Sequence, residues 1–157
     1  MGKTLRPVSV VGMLLLGGLV LAGCTGTPDP VVPPTTGAAS AAANTAIILA
    51  VQKESVEKNL APRGTVVKQF TGTGPATLHI DPLPEGQKSL GSTVICTGSG
   101  RWETTIQQKK PSSGGSGCSM DGGNSVTYPL EDPSREQTVD IKVENDVQFW
   151  VTIYSTE

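Results

Sequence analysis

Apolar and polar positions alternate with a period of two through the C-terminal part of the chain. Val139, Ile141 and Val143 alternate with Asp140 and Lys142; beyond Glu144-Asn145-Asp146, Val147, Phe149, Val151 and Ile153 alternate with Gln148, Trp150 and Thr152. That pattern predicts a terminal hairpin with one apolar face turned inward and Trp150 and Tyr154 on the opposite face. Strand-like runs also occur at Thr65 to Phe70, Ala76 to Ile80, Ser92 to Thr97, Trp102 to Gln107 and Ser125 to Tyr128, with Gly, Pro, Asn or Asp in the gaps. Counting the two strands of the hairpin, this gives about seven strands over residues 62–157. The expected fold is mainly β, an antiparallel β-sandwich of jelly-roll or Ig-like type.

Upstream the period changes. Ser40 to Leu60 contains no Gly or Pro, and Ile47, Ile48, Val51, Ser55, Val56 and Leu60 recur at roughly helical spacing before Pro62 and Gly64. One short helix is expected over residues 44–61. Between Thr25 and Ala43 lie four prolines and no aromatic residue. Such a segment buries too little apolar surface to offset its ordering entropy, so residues 24–43 read as a disordered tether. The aromatic residues all fall between Phe70 and Tyr154, which assigns the packed core to the β-rich part.

The first residues have a different character. Lys3 and Arg6 precede an apolar run from Val8 to Leu21, followed by Leu21-Ala22-Gly23-Cys24. This is the tripartite pattern of an export signal over residues 1–23, and its apolar run falls short of the ~20 residues that span a membrane. Leu-Ala-Gly-Cys resembles the lipobox of bacterial lipoproteins. The resemblance implies a diacylglyceryl group on Cys24, cleavage just before it, and anchoring to the extracytoplasmic face of the cell membrane. Two acyl chains hold a protein stably, at ~0.8 kcal/mol per buried CH₂. With Cys24 lipidated, Cys96 and Cys118 remain as one possible disulfide in an oxidising compartment. The alternative for this pair is a metal site, which two cysteines and one distant histidine do not complete.

Removing the signal leaves ten basic against fourteen acidic residues and a net charge of −4. With no basic cluster, nucleic acid is not an expected partner. The single histidine, His79, has Asp81 nearby but no second histidine and no nucleophile elbow to serve. Glu131-Asp132, Asp140 and Glu144 to Asp146 are the carboxylates a glycosidase would need, yet they fall in turns and on outward positions. Gly114-Gly115-Ser116-Gly117 lacks the Gly-Lys-Ser/Thr ending of a phosphate loop and reads as a flexible connection. Asp121-Gly122-Gly123-Asn124 has too few oxygen ligands for calcium and reads as a turn. No catalytic set, metal or cofactor is expected.

Cys96-Thr97-Gly98-Ser99-Gly100, Cys118-Ser119-Met120-Asp121-Gly122 and Phe149-Trp150 together resemble a group of uncharacterised exported lipoproteins of high-G+C Gram-positive bacteria. Across residues 75–157 this resemblance implies a small surface β-sandwich and carries no activity. The leading expectation is a non-enzymatic binding module for an envelope protein or glycan, with Trp102, Trp150 and Tyr154 supplying contacts. The alternatives are a structural component of an envelope assembly and a small hydrolase using His79.

Overall fold

A computed structural model describes residues 36–60 and 64–157. The signal segment, Cys24 and the first part of the tether lie outside the described residues. Helix α1 (Thr36–Asn59) is followed by strands β1 (Thr65–Thr73), β2 (Ala76–Ile80), β3 (Ser89–Cys96), β4 (Arg101–Gln107), β5 (Ser112–Gly117), β6 (Asn124–Pro129), β7 (Gln137–Lys142) and β8 (Gln148–Thr156). The strands form two four-stranded antiparallel sheets, ordered β1-β8-β3-β6 and β2-β7-β4-β5. Apart from the β4–β5 hairpin, successive strands pass back and forth between the sheets, which is jelly-roll topology.

The apolar positions read from the alternation point into the space between the sheets. Val94, Phe149, Val151 and Ile153 from one sheet meet Leu78, Trp102, Ile106, Val139 and Ile141 from the other. A polar pair bridges the layers within this core, where the buried Ser92 and Thr104 hydroxyls lie 2.9 Å apart and satisfy each other. Cys96 and Cys118 are joined in a disulfide that ties the end of β3 to the chain leaving β5.

Three expectations are corrected. The terminal hairpin is an arch: β7 and β8 both turn an apolar face inward, but they belong to different sheets and pair with other strands. Alternation fixes which face is buried and is silent on which neighbour supplies the backbone hydrogen bonds. An eighth strand, β5, occupies the segment read as a flexible connection. Its sequence, SSGGSG, has no apolar periodicity, and it is held by main-chain pairing to β4 from Arg101↔Gly117 to Ile106↔Ser112. The helix starts at Thr36, so residues 36–43 belong to α1 and not to the tether. Alanine has the highest intrinsic helix propensity, and it fills residues 38–43 apart from Ser40.

α1 lies against the outer face of the first sheet, over β1 and β8. Among the described residues no helix is long and apolar enough to cross a membrane.

Candidate functional site

The outward positions of β8 carry Trp150, Thr152 and Tyr154, and α1 covers them. Val56 and Gln52 are buried beneath the helix. Gln52 Nε2 donates to the Trp150 carbonyl at 3.0 Å and the Thr93 carbonyl at 3.3 Å, while its Oε1 accepts from the Thr152 hydroxyl at 2.9 Å. Trp150 Nε1 donates to Thr45 Oγ1, and Gln69 Nε2 donates to the Leu49 carbonyl near the middle of the helix. The Tyr154 ring lies across Gly91 on β3 and reaches β6, its hydroxyl 2.6 Å from Thr127 Oγ1. Burial pushes this hydroxyl above the ordinary tyrosine range.

The three aromatics expected to meet a ligand are therefore enclosed: Trp102 is 1 % exposed, Trp150 5 % and Tyr154 1 %. Trp102 points into the core because it sits on the inward phase of β4. Trp150 and Tyr154 sit on the outward phase, as the alternation requires, and cover the sheet beneath the helix. Phe70 and Tyr128 are half-buried and Phe149 is fully buried, so no aromatic ring stands free on the surface.

The residues weighed for catalysis are dispersed and structurally occupied. His79 is exposed and pairs with Glu136 at 3.0 Å. Asp140 accepts from Thr77 and Gln107, bonds that hold its carboxyl below the usual range. Glu131 caps the Lys109 and Lys110 amides across a turn, and Asp132 accepts from Ser134. Among the described residues no three His, Cys, Asp or Glu side chains gather as a metal site.

A concave site exists where the sequence did not suggest one. Between α1 and the β5–β6 connection runs a groove of about 610 Å³. The helix contributes Ile47, Ile48, Val51 and Glu54; the floor is Thr93 and Ile95 of β3; the far wall is Met120 to Gly123. Gly123 sits so close to the floor that a Cβ there would meet Thr93 Cγ2 at 2.7 Å. Ile47 (61 % exposed), Val51 (57 %) and Met120 (49 %) are the large apolar side chains left exposed among the described residues, and all three line this groove. Ile47 and Val51 had been placed on the helix's packing stripe. The buried position is instead taken by Gln52, whose amide is fully bonded, and this turns Ile47 and Val51 toward solvent.

The fold and groove define a jelly-roll β-sandwich with one helix docked on its outer face. No family model matches the chain, and no curated protein matches it. Among solved structures it is similar to TmCBM61 in complex with beta-1,4-galactotriose, at 10 % identity and a TM-score of 0.40, covering 67 % of this chain and 77 % of that one.

Proposed function

We propose that this chain is a membrane-anchored surface lipoprotein, held by a diacylglyceryl group on Cys24, whose sandwich acts as a non-enzymatic binding module for another envelope protein. The observation that carries the proposal is the convergence of the exposed Ile47, Val51 and Met120 on one groove. Isolated exposed apolar residues are ordinary, whereas several gathered in a concave site mark a contact surface. A protein partner fits this surface better than a glycan, because sugar rings stack on exposed aromatics and every aromatic here is at least half-buried.

The test is cross-linked capture from intact cells with three chains: wild type, Ile47→Asp with Met120→Asp, and Cys24→Ala. Both groove substitutions fall on exposed side chains, so the fold is retained. The wild-type chain is expected to capture a protein partner, the groove variant to lose at least about tenfold of it, and the Cys24→Ala chain to leave the membrane fraction. Equal capture by the groove variant contradicts the binding site, and membrane retention of Cys24→Ala contradicts the anchor.

A further inference from the structure

We infer that Asp121 and Gly122 form a site of spontaneous covalent change, at which the aspartate closes on the glycine amide and reopens as isoaspartate. The inference goes beyond the binding reading above and needs no partner. Glycine follows an aspartate or asparagine at this one place in the sequence. Asp81 and Asp132 precede proline, whose nitrogen has no hydrogen to lose. Asp140 and Asp146 precede Ile141 and Val147, whose branched side chains crowd the attacking nitrogen. Gly122 has no Cβ to hinder the approach. The structure also leaves this pair free to react. Asp121 and Gly122 are exposed, in a stretch between Gly117 and Asn124 that is neither strand nor helix. Among the described residues, Gly122 N donates to no acceptor and the Asp121 carboxylate holds no hydrogen bond or ion pair; the bond made here is a local one, from Asp121 N to Ser119 Oγ at 3.1 Å. The competing sites are held. The nitrogen after Asp146 donates to the Glu144 carbonyl at 3.1 Å, and Asp140 lies in β7, paired on both sides and bonded to Thr77 and Gln107.

The reaction is intramolecular, so proximity supplies what a catalyst otherwise would. The Gly122 nitrogen forms a bond to Asp121 Cγ, the Cγ–OH bond of the protonated carboxyl breaks, and the hydroxyl leaves with the amide proton as water. A cyclic imide remains. Water then adds to either of its carbonyls; addition at the main-chain carbonyl gives a peptide that runs through Cβ and Cγ and frees the α-carboxylate. No electrons are exchanged, and water is the one co-reactant. The change falls in the groove wall, which is pinned on both sides. Cys118 is held by the disulfide and by its N–H on the Gly100 carbonyl, and Asn124 pairs with Val94. The added main-chain carbon is therefore taken up between them, beside the exposed Met120.

Warming the purified full chain at neutral pH, then reducing and digesting it for peptide mass spectrometry, tests this. The peptide holding Asp121 is expected first to lose one water in mass and then to regain it as isoaspartate, resistant to an aspartate-specific protease, at least about tenfold faster than Asp140 or Asp146 converts. Gly122→Ala keeps the wall intact, because a Cβ there has no atom within 4 Å, and it should slow conversion at least about tenfold. Asp121→Asn should reach the same imide by losing ammonia, and faster than wild type. No isoaspartate at Asp121, equal conversion at Asp140 or Asp146, an unchanged rate in Gly122→Ala, or an Asp121→Asn chain that does not convert would each overturn the site.

Discussion

Gln52 shows how one side chain decides where α1 sits. A glutamine amide offers two donor hydrogens and an acceptor oxygen, and all are used beneath the helix: the donors on the Trp150 and Thr93 carbonyls, the acceptor on the Thr152 hydroxyl. The group is 2 % exposed, so each bond is made away from water, where an unmade one is expensive. Gln52→Ala removes these bonds and should weaken helix docking by about 2 kcal/mol. The protein carries its own reporter, because its two tryptophans have different covers: Trp102 lies within the core and Trp150 under the helix. Acrylamide should quench Trp150 but not Trp102 in the Gln52→Ala variant; quenching unchanged from wild type would show that Gln52 does not hold the helix. The same residue explains why the groove was hidden in the sequence. A hydrophobic-periodicity reading assigns Ile47 and Val51 to the buried stripe and a glutamine to solvent, and only the Trp150 and Thr93 carbonyls and the Thr152 hydroxyl of the sheet below invert that choice.

At the scale of elements, β7 and β8 show what alternation can and cannot reveal. The inward residues of both strands were legible because the space between the sheets is apolar. The partners were not, since β7 and β8 have the same inward pattern whether they form a hairpin or an arch. β5 was invisible for a related reason: a Ser/Gly strand has no side-chain signature, and its place is fixed by backbone pairing to β4. Gly91 marks a further constraint. A Cβ at this position would meet Tyr154 Cζ at 2.2 Å and Oη at 2.5 Å, so the tyrosine ring can cross β3 to reach Thr127 only over a bare backbone. Gly91→Ala should therefore displace the ring and lower unfolding stability by about 2 kcal/mol, read from urea unfolding. A change below about 0.5 kcal/mol, the range of ordinary surface substitutions, would mean the ring moves aside freely.

For the whole molecule, the jelly roll uses its two outer faces differently. The β2-β7-β4-β5 sheet exposes a polar surface in which His79, Asp140 and Gln107 bond to close neighbours. The β1-β8-β3-β6 sheet is half covered by α1, and the exposed apolar side chains gather beside the helix. The disulfide joins the end of β3 to Cys118, two residues before the groove wall begins at Met120, so the bond that staples the fold also sets the position of that wall. The cysteine pair and the sandwich were legible from residue counting and period-two alternation. The groove was not, because it is built by a helix, a strand and a loop distant in sequence. Hydrogen exchange on the full chain, alone and with the protein partner the proposed function calls for, tests most directly whether this groove is the contact surface. Added protection confined to residues 47–59 and 119–124 is the expected result. Protection centred instead on residues 77–79 and 138–142 of the opposite sheet would contradict it.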